Sequence, residues 1–415
     1  MAKNTHCRYC GSTRLVQFLS LGEQPPSNSF LRPDQLALER RYPLDVYLCE
    51  GCSLVQLLDV VPSSEIFNDY LYLASSSKAL KAHYAALAGQ VTERFGLRAG
   101  DVVVDIGCND GVLLSGYPLA GLQRVGVEPS KVADYAEAAG FKVVRGFFGP
   151  NAADEIVGTY GKAKVVTATN VFPHVDDIGS FTDGVPRLLA DDGIFIIEAS
   201  YLVDLIEQTL FDTIYHEHLC YLSLTPMVPF FARHGLQIFH VERVPFGASG
   251  PALRVWAQKT GGPHPTQPTV ARMLADEETW GVSRLPRYQA YTAQVESVKR
   301  DLLALIAQAR ATGAVVGGYG APAKGNTLLN YMGLDAKTIV CIAETNPIKQ
   351  GLLTPGSHIP VVSEEEFLRI MPAYALLLTW NYLDFFIKNS GYLQAGGRFI
   401  VPLPTPRIVA GPPRS

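Results

Sequence analysis

Residues 214–223, IYHEHLCYLS, set two histidines, a glutamate and two tyrosines within ten positions. Three readings fit those residue types. His216 and His218, one residue apart, could hold a metal ion. His218 beside Glu217 could be a general base. The stretch could also be a polar turn with no task, which is the commoner fate of a lone motif. A catalytic zinc usually takes three protein ligands, and here the third would have to come from afar. Adjacent residues of a strand point to opposite faces, so a Glu217–His218 contact needs a turn or bulge. In extended chain Tyr215 would share a side with Glu217.

A second constellation is less ambiguous. Four of the seven cysteines form C-x2-C-x38-C-x2-C: Cys7, Cys10, Cys49 and Cys52. A two-residue spacer lets both thiolates of a pair point inward from a tight turn. Two such pairs make a closed tetrahedral shell, the preference of structural zinc. Such a shell leaves no position for a reactive water, so this metal is structural rather than catalytic.

These groups must be positioned by regular elements. From residue 101 the chain alternates apolar runs with helical stretches: VVVDIG, QRVGVEPS, KVVRGFF, AKVVTATNVF and GIFIIEAS. That rhythm predicts a parallel sheet covered by helices. Before it, the spacing of Leu80, Tyr84 and Leu87 predicts a helix. Another is predicted through Leu285, Tyr288, Tyr291, Val295, Val298, Leu302, Ile306 and Ala309, lying between domains. The tail VPLPTPRIVAGPPRS, rich in proline, is expected to run as loose coil.

VVVDIGCNDGVLL is a strand, a glycine turn and a helix. Gly107 and Gly111 let backbone approach a ligand closely. The spacing is not the G-x-G-x-x-G of a pyrophosphate loop, and an acid here, Asp105 or Asp110, would repel phosphate. It suits a cation, which favours S-adenosylmethionine over NAD. Glu128 ends the next strand, where a carboxylate can take ribose hydroxyls. Phe147 or Phe148 could stack on adenine. Asn109 and Asn170 complete the candidate cofactor set. A second turn, VVGGYGAPAKGN, is better suited to phosphate, with Gly318 and Gly320 before a helix, Lys324 as a counter-charge and Glu344 ending the next strand. Taken alone it could hold NAD, which would make the chain a two-cofactor oxidoreductase. A zinc-held scaffold would need neither loop. Beside a methyl donor, a hydride carrier would have no evident task.

The whole chain bounds these readings. Its 415 residues exceed one hydrophobic core. With 47% hydrophobic and 18% charged residues it is globular. A net charge of -4 offers no field for nucleic acid. No apolar run reaches membrane-spanning length, and MAKNTHCRYC has no apolar signal region. The cysteine usage suits a reducing compartment, so a cytoplasmic protein is expected.

Together, the four-cysteine module, DIGCNDG with GVEPS, YHEH, and GGYGAPAKGNTLLNY followed by NPIKQGLLTPGSHIPV resemble the SAM-dependent nucleotide-sugar C-methyltransferases over nearly the whole chain. The resemblance implies an α/β protein of three parts: a zinc-binding module (1–66), a Rossmann-like class I methyltransferase domain (67–262), and, after a helical linker (263–310), a second Rossmann-like domain for the nucleotide sugar (311–415). It implies methyl transfer to the carbon next to the ketone of an NDP-linked 4-keto-deoxysugar, at C-3, by a monomer or homodimer. It makes His218 the base, whose ordinary pKa of about 6.5 suits the task. Glu217 would orient it or bind the sugar, Tyr215 and Tyr72 would donate to the enolate, and His174 would lie where substrate meets cofactor. Candidate substrate contacts are Ser75, Ser77, Lys78, Tyr319, Lys324, Asn326, Glu344 and Lys349. Where the antibiotic-sugar enzymes carry an aspartate before the Glu-His pair and a histidine after the segment's tyrosine, this chain has His216 and Leu73.

Overall fold

The computed structural model describes residues 2–62, 65–66, 73–245, 247 and 250–411. Near the N-terminus β1 (Leu15–Gln24), β2 (Tyr42–Cys49) and β3 (Val55–Leu57) form an antiparallel ladder. Leu44, Val46 and Leu48 are buried along β2 while Pro43 and Asp45 stay half-exposed, the period of two of a strand with one covered face. Cys49 closes β2 opposite Leu15, so the second cysteine pair occupies the turn into β3.

The central domain begins with α1 (Lys78–Arg94), capped by Ser77, whose side chain accepts from Leu80 N. Its sheet contains β4 (Val102–Ile106), β5 (Gln123–Glu128), β6 (Lys142–Arg145), β7 (Ala163–Thr169) and β8 (Leu189–Ser200), all parallel. A short strand, β9 (Cys220–Tyr221), leaves this domain and pairs with β3, adding a fourth strand to the N-terminal sheet. Then β10 (Leu236–Val244) and β11 (Ala252–Lys259) return antiparallel, giving the order β10-β11-β8-β7-β4-β5-β6. These last two strands are not evident as strands in the sequence rhythm. β4 is buried at all five positions, which explains its unbroken apolar run. The chain runs outward from β4 in both directions, so the strand order reverses there. A crevice opens outside the carboxyl ends at such a point.

The helix predicted before the second glycine turn is α3 (Leu285–Ala311), and α2 (Ile178–Leu188) covers the central sheet. The last domain has β12 (Val316–Tyr319), then α4 (Ala323–Met332), then β13 (Ile342–Ala343), β14 (Val361–Val362), β15 (Tyr374–Leu377), β16 (Arg398–Val401) and β17 (Arg407–Ala410), in the order β14-β13-β12-β15-β16-β17. Here the tail differs from expectation. Residues 407–410 pair antiparallel with β16, because RIVA finds an open sheet edge and offers two β-branched residues.

α3 is more than a spacer. Its buried stripe, from Tyr288 to Ala309, packs in one core with Phe18 and Leu44 of the N-terminal sheet, Leu205 and Phe211 of the central domain, and Leu328 and Ile400 of the last. Thr292 Oγ1 donates to the Phe18 carbonyl at 2.6 Å. The three parts are therefore joined through shared apolar surface.

Candidate active site

A cavity of about 560 Å³ lies at the carboxyl ends of β4, β5 and β7. Gly107 sits on its wall with φ +67°, and a Cβ there would lie 2.3 Å from Val171 Cγ2. Glycine is required twice over, by the left-handed backbone and by the close approach. Asp105 also lines the cavity. It is buried and accepts from Thr167 Oγ1 at 2.6 Å, and burial pushes its pKa up to about 7. Its charge is therefore only partly available at neutral pH. Glu128, Asp176 and Asp177 supply further carboxylates on the wall. Glu128 accepts from Asn109 N at 3.0 Å and from Ser130 N and Oγ at 2.9 and 2.6 Å, which fixes the carboxylate and leaves acceptor capacity for a ribose hydroxyl. Phe147 is exposed at the wall, and Phe148 beside it is buried edge-on against Phe181. Asn170, at φ +56°, lines the same space and donates to the Tyr84 hydroxyl at 3.3 Å.

Asp110 and Gly111 stand apart from the lining. Asp110 accepts from the Ser75 amide at 2.9 Å, and Gly111 packs so closely on Phe141 that a Cβ would lie 2.6 Å from its ring. Ser75 and Lys78 are exposed, and Ser77 is spent on the helix cap. Tyr72 lies outside the described residues.

The YHEH stretch forms a turn, with His218 N donating to the Tyr215 carbonyl at 2.8 Å. The turn reverses the expected pairing. Tyr215 packs on His218, ring centroids 3.9 Å apart, and Glu217 turns away to accept from Asn28 Nδ2 at 2.7 Å. Glu217 and His216 line the cavity. Burial pushes Glu217 up to about 7, opposed by the Asn28 hydrogen bond and the Lys349 charge. His218 Nδ1 lies 2.7 Å from the Thr213 carbonyl. A carbonyl only accepts, so Nδ1 carries the proton and Nε2 keeps its lone pair. Burial lowers His218 to about 4, well below the ordinary value, and it also holds His174 well below its ordinary value, with the neighbouring His218 adding to the effect. His216 Nε2 donates to the Tyr42 carbonyl at 3.2 Å, which leaves Nδ1 as a bare acceptor, buried and without a partner among the described residues.

Several contacts here had no local signal. Asn28 is 189 residues from Glu217, and Asp212 is 168 residues from Trp380, whose indole N–H donates to its carboxylate at 2.7 Å. Lys324 donates to Asn381 Oδ1 at 2.7 Å with its ammonium 4.2 Å over the Trp380 ring. Lys349 donates to the Ala321 carbonyl at 2.8 Å. Glu344 accepts from the amides of Ala321, Thr345 and Asn346, so it braces the second glycine turn. Asn326 donates to the Ser27 carbonyl at 2.7 Å, tying α4 to the N-terminal module, and Tyr319 packs among Phe367, Phe386 and Phe399.

The four expected thiol ligands come together. Their sulfurs lie within 4.8 Å of one another, with Cys7–Cys52 and Cys10–Cys49 each at 3.5 Å. All seven cysteines are free of disulfides. An all-thiolate cluster without a carboxylate or water position fits a closed zinc shell.

A parallel sheet with two antiparallel return strands, a glycine turn at its reversal point and an acid-lined cavity beside a ribose-suited glutamate define a SAM-dependent methyltransferase. A methyltransferase domain model matches residues 80–241, a zinc binding domain model residues 7–67, and a C-methyltransferase C-terminal domain model residues 247–404. C-methyltransferase NovU of Streptomyces niveus is 36% identical over 407 residues, covering 97% of this chain and 96% of that protein. The chain belongs to this family of zinc-containing C-methyltransferases. Among solved structures, a SAM-dependent methyltransferase from Anabaena variabilis aligns with TM-score 0.35 and 15% identity over 43% of this chain and 85% of that one. Magnesium protoporphyrin IX methyltransferase from Synechocystis, with bound SAH, aligns with TM-score 0.34 and 12% identity over 43% and 83%. Among the described residues no helix is long and apolar enough to cross a membrane.

Proposed function

We propose that the protein methylates the carbon next to the ketone of a nucleotide-linked 4-keto-deoxysugar. Such a sugar has two such carbons, C-3 and C-5, and the motif resemblance favours C-3. S-adenosylmethionine supplies the methyl group as an electrophile. His218 Nε2 takes the α-proton, and the C–H electron pair becomes the enolate. Tyr215 and the protonated form of Glu217 are donors for the developing oxyanion. The enolate carbon then forms its bond to the methyl group as the carbon–sulfur bond breaks.

The observation that carries this reading is the Nδ1–Thr213 hydrogen bond at 2.7 Å. It selects the tautomer with a bare Nε2, and that ring, not itself a lining residue, stacks on His174, which lines the cavity. A low pKa keeps His218 in the free-base form throughout the neutral range. One alternative base has its own support. Glu217 lines the cavity, and its pKa near 7 matches the operating pH. His218→Asn and Glu217→Gln separate the two, because exchange of the α-proton with deuterated water is the base's step alone.

The C-terminal domain is proposed to hold the nucleotide, with Lys324 and Lys349 near the diphosphate. Support comes from its glycine turn at the β12–β15 reversal point and from the buried Lys324 and half-buried Lys349 ammonium groups there. Incubation with methyl-labelled SAM and a panel of NDP-4-keto-6-deoxysugars tests the whole reading. Label appears in a sugar nucleotide, and carbon NMR locates it. SAM-binding protein that labels no member of the panel defeats the proposal.

A further inference from the structure

Each zinc knuckle leads to one imidazole of the stacked pair, and one side chain joins the two paths. Arg8 lies between Cys7 and Cys10 with its side chain 2% exposed. Its guanidinium donates to the Leu57 carbonyl of β3, to Gln56 Oε1 at 3.3 Å, and to Asp176 Oδ1 at 3.1 Å. Asp176 is on the cavity wall two residues after His174, and Asn4 Nδ2 donates to the same oxygen at 2.9 Å. The other path starts at Cys49 and Cys52, whose turn opens into β3. There Leu57 N donates to the Leu219 carbonyl at 2.9 Å, and Leu219 N donates to the Pro173 carbonyl at 2.8 Å. His218 precedes Leu219, and His174 follows Pro173.

We propose that Arg8 is a positioning residue for the His174–His218 pair, carrying the geometry of the zinc knuckles to the cavity. The inference rests on the reading of His218 as base. A planar guanidinium suits the task because its donors leave in fixed directions toward three acceptors, whereas an ammonium is a rotating point charge. When bound, the zinc fixes the two knuckles relative to each other, and Arg8 extends that constraint to Asp176. Proton transfer tolerates little error here, since a misplacement of about 1 Å can cost on the order of a hundredfold.

The test compares Arg8→Ala, Arg8→Lys, Asp176→Asn and the double variant Arg8→Ala/Asp176→Asn in zinc-loaded full-length protein. Arg8→Ala is expected to slow α-proton exchange and kcat by about 10–100-fold. Sugar KM and SAM affinity should stay within about twofold, with zinc still at one per chain. Arg8→Lys should recover part of the loss. Asp176→Asn should show a similar loss, and the double variant should be no worse than either single change, as for two ends of one contact. In histidine-labelled protein, Arg8→Ala should shift the His218 Nδ1–H resonance. A raised KM at unchanged kcat in Asp176→Asn would mean that Asp176 binds substrate directly, and it overturns the proposal. So do additive losses. If Arg8→Ala does not fold with its zinc, Asp176→Asn decides alone, and the parent exchange rate in it overturns the proposal. His218→Asn is the control. If it exchanges at the parent rate, the base reading has failed; if it is slow while Arg8→Ala is not, only the Arg8 inference has.

Discussion

The imidazoles of His174 and His218 are stacked, with centroids 5.0 Å apart and planes 16° from parallel. Both rings are half-buried, His174 lining the cavity and His218 packed against it, and burial disfavours a charge on either. The contact holds His218 as a free base at rest, and the charge it gains in the proposed step is offset by the enolate that forms with it.

The pH dependence follows with a definite sign. Burial lowers His218 to about 4, so Nε2 is available above that value and is lost as pH falls through it. The acid limb of kcat/KM for α-proton exchange should therefore lie near pH 4 to 5. A limb at the ordinary histidine value of about 6.5 would show that the ring is solvated and the stack is not maintained. His218→Asn should lower the exchange rate by about a hundredfold to ten-thousandfold.

Glu217 gives the opposite sign in stability. Its folded pKa of about 7 stands above the ordinary glutamate value of 4.5. The favourable state is complete below pH 4.5 and is lost as pH rises through 7, where a buried charge must form. Thermal melts of parent protein should fall from pH 5 to 8 more steeply than those of Glu217→Gln. Asn28→Ala should steepen the parent's fall, because it removes a hydrogen bond to the charged form. Parallel curves for parent and Glu217→Gln would show that Glu217 ionises without penalty.

Glu128→Ala should weaken SAM binding by roughly 1.5–3 kcal/mol, as expected for losing hydrogen bonds to a charged acceptor. Titration calorimetry that returns the parent affinity would move the ribose site elsewhere in the cavity.

Metal analysis should find one tightly held zinc per chain. Cys10→Ser should cut the yield of folded protein more than it changes the kinetics of the fraction that folds, because a closed thiolate shell stabilises the fold. Well-folded, zinc-free protein would contradict that role.

Trp380→Phe should destabilise the folded chain by about 1–3 kcal/mol, since it leaves the buried Asp212 carboxylate without its indole donor. Urea denaturation measures this. A negligible change would mean that the carboxylate is protonated or reached by water.

The sequence by itself determined the strand–helix alternation from residue 101, the thiol quartet, the glycine turn and the preference for a cationic methyl donor. Each rests on local spacing: two residues between cysteines, apolar runs bounded by glycine, an acid where phosphate would be repelled. Tertiary packing decided the rest. It set Asn28 on Glu217, Arg8 on Asp176, and Trp380 on Asp212, pairs separated by 168 to 189 residues. The turn at 215–218 put Tyr215 rather than Glu217 against His218. Packing also spent Glu344 on backbone amides and Tyr319 in an aromatic core. The pKa values moved for the same reason. A residue's type gives its proton affinity in water, but desolvation and the identity of its partners come only from what the fold packs around it.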